Sequence, residues 1–365
     1  MKDKPLILIG PKTGIQGGGT VSFNHLLDEL GRREVAYHCI DMPGGNYTFL
    51  RALYVLKYIF IFFKTIRRES VISLHASENS ALVYTLILDI FCRFTNSRLI
   101  VRVFGGHHLD YLSRRNRFLR RRVVQSYRRH TLLLQTQGML QRARKEFKIS
   151  NVAWFPTSRP SVKPKNRETF NTRDTLQLLY LGQIRPEKGI DDLINLAKEI
   201  EKHALEIRIS IYGQVMDDDL MKQVQAQNPK VIEYCGMLDP EEVYDVIKKS
   251  DMILIPSKFK REGYPGALIE ALNVHVPFIA TGHHLYIREL VTEGKEGYFY
   301  DMDHPEQLWE IVSNINNNRN RLLELHDHIA SRKITFTSDY WNGEYFLKLV
   351  ERLRTEIEGT EGLRD

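Results

Sequence analysis

Cysteine is scarce in this chain of 365 residues. There are three, Cys39, Cys92 and Cys235. They are scattered, odd in number and without metal-ligand spacing, which argues against a disulfide framework or a zinc site and fits packed thiols in a reducing compartment. Long apolar runs are also missing. The longest, Leu53–Phe63, is about half the length needed to cross a bilayer and is interrupted by Lys57. The apolar stretch near the N-terminus is far shorter than a signal-peptide core, so no targeting segment is read there and a cytosolic protein is expected. The early glycines lack the spacing of the dinucleotide fingerprint, which argues against a nicotinamide cofactor. No zinc-finger spacing or RNA-binding aromatic signature accompanies the basic residues, so nucleic acid is not the expected partner.

What is present fills two cores. Hydrophobic residues make up 42% of the chain, and the length suits two domains better than one. The net charge of +7 conceals an asymmetry. Residues 1–170 carry 29 Lys and Arg against 11 Asp and Glu, whereas residues 171–365 carry 23 against 34. The two halves therefore face different partners.

Strand-like runs at Leu6–Ile9, Val35–Ile40, Val71–His75, Leu99–Phe104, Thr131–Leu134 and Val152–Phe155 alternate with segments long enough for helices, the pattern of a parallel sheet covered on both faces. After the first run, Gly17-Gly18-Gly19 form a loop and Thr20 is placed to cap a helix bearing Phe23, Leu26, Leu27 and Leu30. Residues 156–175 hold three prolines and no apolar periodicity, which marks a linker. The alternation then restarts at Leu176–Leu181. The expected division is a basic N-terminal domain over 1–165, a second α/β domain over 166–338, and a last helical segment over 339–365 packing back towards the first.

Arginines and lysines flank Leu53–Phe63, and Arg114–Arg122 contains six further arginines. Cations gain about 1 kcal/mol each near an anionic leaflet, so an anionic membrane surface is a candidate partner beside the plainer reading of a solvated helix face.

Two motifs carry chemistry. Gly182-Gln183-Ile184-Arg185-Pro186-Glu187-Lys188-Gly189 follows the first strand of the second domain and leads into a helix. Arg185 can fork onto phosphate oxygens and Lys188 adds a point charge, a pair suited to a pyrophosphate whose charge grows as a bond to it breaks. Glu262-Gly263-Tyr264-Pro265-Gly266-Ala267-Leu268-Ile269-Glu270 joins a strand to a helix that Pro265 can open, with Ala267, Leu268, Ala271 and Leu272 inward and Glu270 outward. Free N–H groups beside two carboxylates suit a ligand with both phosphate and hydroxyls. Asp217-Asp218-Asp219 precedes a helix start, where acids are ordinarily found, and is read as structural.

Gly-x-x-Arg-x-x-Lys-Gly followed some seventy residues later by Glu-x₇-Glu, with Glu289, Gly294, Gly297 and Asp301 beyond, resembles the retaining GT-B glycosyltransferases of the GT4 type. The resemblance implies an α/β fold of two Rossmann-like domains facing each other across a cleft. It implies that Arg185 and Lys188 hold the donor diphosphate, Glu270 the ribose and Glu262 the donor sugar. Gly182, Gly263, Tyr264 and Gly17 to Gly19 would line the donor site. Neither a metal nor another cofactor is implied. The chain departs from the family at Val103-Phe104, where relatives carry a histidine before glycine and this chain has Gly105-Gly106-His107-His108. Either His107 takes over the contact with donor sugar or acceptor, with His75, at another strand end, a second candidate, or the role is absent and Gly105 makes room for a bulkier group.

The implied activity is transfer of a sugar, from a UDP-sugar by resemblance, to a hydroxyl of a saccharide acceptor. A lipid-linked acceptor in bacterial surface polysaccharide synthesis, met at the inner face of the cell membrane, is the version the basic half favours. A nucleotide-sugar epimerase or phosphorylase on the same architecture stays open, as does a non-catalytic protein binding anionic lipid or nucleic acid.

Overall fold

A computed structural model describes residues 4–13, 17–42, 51–170, 174–259, 263–283, 286–333 and 335–361. The chain divides into two units, one of Met1–Pro160 with Phe336–Asp365 and one of Ser161–Thr335.

The first unit runs β1 (Leu6–Gly10), α1 (Gly18–Arg32), β2 (His38–Asp41), α2 (Arg51–Thr65), β3 (Val71–Ser77), α3 (Glu78–Thr95), β4 (Arg98–Phe104), α4 (His108–Ser113), α5 (Arg117–Arg129), β5 (Thr131–Leu134), α6 (Gln137–Lys145) and β6 (Val152–Trp154). Its described strands pair in parallel in the order β2-β1-β3-β4-β5-β6. Parallel strands buried on both faces read as continuous apolar runs, and Leu6-Ile7-Leu8-Ile9 is buried throughout. Right-handed crossovers running in one direction put α2, α3 and α5 on one face, while α1 returns across the other.

That other face is closed from the far end of the chain. After a π-helical turn at Asp339–Tyr345, α14 (Phe346–Glu361; its number follows the second unit's helices) lays Phe346, Val350, Leu353 and Ile357 against Leu6, Leu8 and the α1 residues Phe23, Leu26 and Leu30. Arg33 donates to the Asp339 carbonyl at 3.0 Å, and the Arg159 and Ser338 backbones bond Phe336 and Arg159 in turn.

The second unit runs β7 (Leu176–Leu181), α7 (Ile190–Lys202), β8 (Ile207–Tyr212), α8 (Asp218–Gln225), β9 (Ile232–Tyr234), α9 (Val243–Lys249), β10 (Met252–Ile255), α10 (Gly266–Asn273), β11 (Phe278–Thr281), α11 (Ile287–Leu290), β12 (Gly297–Tyr300), α12 (Glu306–Asn317) and α13 (Asn320–Ala330). Its described strands are again parallel, in the order β12-β11-β10-β7-β8-β9. The order reverses between β7 and β10, and in open α/β sheets ligands bind beyond the carboxyl ends of the strands at such a switch point.

Several local expectations shift. β2 starts at His38, with Val35 packed on the core before it. Thr20 is no cap: α1 already begins at Gly18, with Gly17 as N-cap, so Thr20 lies buried in the first turn. The glycines thus open the helix instead of preceding it. In α10, Pro265 is the N-cap with φ −59° and ψ 136°, so the helix begins at Gly266, one residue later than expected. The helix buries Leu268, Ile269, Ala271 and Leu272, so Ile269 joins the inner stripe, while Ala267 and Glu270 are half-buried.

Candidate functional site

The loops that follow β7 and β10 lie side by side at the switch point of the second unit. After Leu181, Gly182 donates to the Tyr212 carbonyl, which keeps the loop against β8. Arg185 then precedes a short 3₁₀ turn, Pro186–Lys188, closed by Lys188 N–H to the Arg185 carbonyl at 3.0 Å. Gly189 follows at φ +71° and ψ 31°, the left-handed region that favours glycine, and redirects the chain into α7. A Cβ there would also collide with the Pro256 backbone, 2.8 Å from its carbonyl carbon. The turn carrying the two cations therefore sits directly on the chain leaving β10.

Side chains continue the junction. The Phe259 ring, on the loop after β10, lies 5.2 Å from the Arg185 guanidinium and 5.8 Å from Lys188 Nζ. Lys258 N–H donates to the Glu187 carbonyl at 2.8 Å. Lys258 Nζ reaches Asp191 at 2.7 Å and Asp192 at 2.8 Å, at the start of α7, and the Tyr300 hydroxyl donates to Asp192 at 2.8 Å. Burial works against the Lys258 charge, but the two aspartates outweigh it and hold its ammonium above the ordinary lysine range. Burial raises Asp192 despite Lys258 and Tyr300. This clamp was not legible in sequence, since its partners are about sixty-seven residues apart.

Arg185 retains binding capacity. Its Nε is buried without a hydrogen-bond partner among the described residues, and Glu187 stands 3.7 Å away. A guanidinium held by a ring on one side and short of an acceptor is arranged to receive an oxyanion. Gly263, Tyr264 and Pro265 are buried where the second motif approaches α10, and the Tyr264 hydroxyl donates to Glu289 Oε2 at 3.0 Å. Two of the motif positions noted in sequence are thereby in contact. Gly294 (φ +76°) donates to the Gly297 carbonyl, and the Asp301 backbone bonds Gln307. Glu262 lies outside the described residues.

The first unit presents its own candidates at the carboxyl ends of its strands. Gly17–Gly19 form the α1 N-terminus after β1, and Gly19 packs so near Phe104, the last residue of β4, that a Cβ would lie 3.1 Å from the ring. Beyond β4, Gly105 adopts φ +103°, and His107 N–H donates to Glu78 Oε1 at 2.9 Å. The His107 ring pairs through Nδ1 with Asp110 at 2.8 Å, and Asp110 is bound on its other oxygen by Arg142. Burial raises the Asp110 carboxyl, but Arg142 and His107 outweigh it and hold it below the usual range. This half-exposed imidazole is oriented by a carboxylate. His75 differs: it is 1% exposed, packed among Phe23, Phe104 and Phe346, with Nε2 at 2.9 Å from Ser73. Burial and then Arg102 depress its basicity. It is a core residue, not one lining a surface site.

Asp217 spends its carboxylate capping α8, accepting from Leu220 N–H at 2.9 Å. Among the described residues no group of three or more His, Cys, Asp or Glu is placed to hold a metal ion.

Residues 162–333 match the family described as Glycosyl transferases group 1. Similar proteins include alpha-galactosylglucosyldiacylglycerol synthase of Streptococcus pneumoniae, 24% identical over 40% of this chain and 38% of that protein. WcaL of Salmonella typhimurium, named for colanic acid biosynthesis, is 29% identical over 34% of this chain. The match spans 32% of WcaL, so about a third of the length of these relatives is covered. Among solved structures, sucrose-phosphate synthase from Thermosynechococcus elongatus has a TM-score of 0.74 at 13% identity, covering 97% of this chain and all of that one. Anabaena HepE in complex with UDP has a TM-score of 0.66 at 12% identity, covering 98% and 99%. At these identities the likeness concerns the fold, which is that of the GT-B glycosyltransferases.

Proposed function

We propose, starting from the group 1 glycosyl transferase domain that forms the second unit, that this chain moves a sugar from a nucleotide-sugar donor to a hydroxyl of a saccharide acceptor, with retention of the anomeric configuration. The observation that carries the proposal is the meeting of the Arg185–Lys188 turn with the loop after β10 at the switch point of one sheet. Breaking the glycosidic bond to a nucleotide leaves a diphosphate whose negative charge grows through the transition state. Cations already fixed by a ring and a 3₁₀ turn stabilise that charge without reorganising, which is where such groups contribute most. The N–H groups of Gly263 and Tyr264 and the α10 N-terminus add fixed dipoles. Glu270 takes the ribose hydroxyls and Glu262 the donor sugar. The chemistry needs no metal, because Arg185 and Lys188 supply the charge.

UDP is the proposed nucleotide of the donor; the HepE neighbour is a complex with UDP. A lipid-linked saccharide, in surface polysaccharide synthesis at the inner face of the cell membrane, is the proposed acceptor. It is supported by the basic first half and by a relative whose name is that of a glycolipid synthase.

Thermal-shift titration with UDP, GDP and ADP tests the site. UDP should stabilise the protein most, and each of Arg185→Ala and Lys188→Ala should weaken its binding roughly 10- to 150-fold, the loss of one charge-assisted contact of about 1.5–3 kcal/mol. Transfer should persist in chelator. Wild-type affinity in both variants refutes the site. Conversion of donor without any acceptor would identify an epimerase instead.

A further inference from the structure

The outer side of the helical layer over the first sheet is apolar where a water-facing surface should be polar. On α2, Tyr58 and Phe62 point inward, followed by buried Ile66 just past its end, and Phe62 packs edge-on against Tyr84 and Phe91 of α3. The opposite stripe is also hydrophobic: Leu53, Leu56, Phe60 and Phe63 are 59–72% exposed, at spacings of three, four and three. α3 repeats this, with Leu88, Phe91 and Cys92 buried while Ile90 and Phe94 stand 54% and 80% exposed. Phe63, on the outer stripe of α2, touches the buried ring of Phe91 at 4.6 Å between ring centroids, so α2 and α3 pack side by side with both outer stripes on the water-facing side of the layer. A helix apolar all round needs a second apolar environment, and a contiguous exposed patch marks an interaction surface.

The charges beside the patch have one sign. α3 is tied to α5 by Asp89, which binds Arg93, Arg129 and His130, and is itself 5% exposed. The only other acid within α2, α3 and α5 is Glu78, bound to the His107 backbone. α5 bears Phe118, 77% exposed, among Arg117, Arg121 and Arg122, which are exposed and form no ion pair among the described residues. Arg117, Arg120, Arg121 and Arg128 line a groove of about 420 Å³ in which Glu146 is the one carboxylate, already paired with Arg142. Lys64 lies over the Phe60 ring at 4.4 Å, its ammonium next to the apolar stripe.

We infer that the joined outer face of α2, α3 and α5 is a docking surface for an anionic lipid bilayer. The phenylalanines and leucines enter the headgroup–acyl boundary, and the α5 arginines and Lys64 meet lipid phosphates. A second protein copy would have to bring a matching acidic rim, which this face, facing itself, lacks. The contact is peripheral: among the described residues no helix is long and apolar enough to cross a membrane. This surface belongs to the first unit and does not depend on the donor site assigned to the second.

Vesicle flotation tests it, using phosphatidylcholine vesicles with and without phosphatidylglycerol. The full chain should float with the anionic vesicles only. Since each cation near such a leaflet is worth about 1 kcal/mol, or about fivefold in partitioning, Arg117→Ser, Arg121→Ser and Arg122→Ser together should lower binding about a hundredfold. Phe60→Ser with Phe94→Ser should abolish flotation while leaving the melting temperature and UDP binding unchanged, because both rings are exposed. Three results would overturn the inference: no flotation with anionic vesicles, equal flotation with neutral ones, or light scattering that shows a stable dimer dispersed by the Phe60 and Phe94 changes.

Discussion

Replacing Gly189 by alanine tests the geometry of the donor site without touching a group assigned to bind the ligand. Two penalties follow from its position. At φ +71° an L-residue pays about 1–2 kcal/mol for left-handed backbone. The new Cβ would also sit inside the contact distance of the Pro256 carbonyl, an atom of the backbone leaving β10 that no rotamer change can move away. Overpacking of this kind costs about 1–3 kcal/mol, so the second unit should lose roughly 2–5 kcal/mol. Relief requires the turn and the β10 loop to part, carrying Lys188 and Arg185 away from Phe259. A misplacement near 1 Å is worth about a hundredfold at a positioned site. UDP affinity, measured by calorimetry below the lowered unfolding temperature, should therefore fall about a hundredfold although every charged group remains. Gly213→Ala provides a comparison, since its Cβ would meet Gly182, 2.7 Å from the carbonyl carbon, at the root of the same turn. If Gly189→Ala unfolds at the wild-type urea concentration and binds UDP normally, the two loops are not packed as described and the donor site loses its support.

Lys258→Met should destabilise the second unit by about 2 kcal/mol, below the 3–5 kcal/mol of a fully buried pair because the lysine side chain is 27% exposed; Asp192→Asn should recover part of the loss in a double-mutant cycle read by urea unfolding. Acid should weaken the first unit through His108, which is fully buried against the Tyr127 hydroxyl at 2.8 Å and lowered by burial to about 4. The unfolded chain binds this proton near pH 6.5 and the folded chain only near 4. The histidine's contribution is thus intact above pH 6.5 and is lost as pH falls towards 4, by about 3 kcal/mol at the rate of about 1.4 per pH unit. In His108→Gln the stability should vary less over that window than in wild type; an unchanged slope would show that other groups govern it.

Much of the fold was legible because parallel strands buried on both faces announce themselves as short apolar runs. Val71–His75 and Leu176–Leu181 needed no other signal. Ends were less legible, since they depend on local backbone geometry that composition does not encode. Gly17 caps α1 without offering a side chain, so the hydroxyl of Thr20 was the more visible but wrong choice. Pro265 fits either the cap or the first turn of a helix, which left the start of α10 open by one residue, and the apolar run Ala267-Leu268-Ile269 has no polar residue to mark which of its members lie on the inner stripe.

The candidate site divides along the same line. Arg185 and Lys188 could be singled out because cations and glycines at a strand-to-helix junction have a chemical reason to be there. Their neighbours could not. Phe259 and Lys258 belong to no motif, yet the ring spaces the two cations and the ammonium ties α7 to the loop that leads to Glu262. What brings them together is strand order: β7 and β10 are adjacent though three strands apart in sequence numbering, and only the reversal of the sheet between them makes their loops one surface. The strand order also explains why the Arg-x-x-Lys and Glu-x₇-Glu motifs, each weak alone, gain meaning as a pair. A turn bearing cations after β8, β9 or β12 would face loops without the second motif.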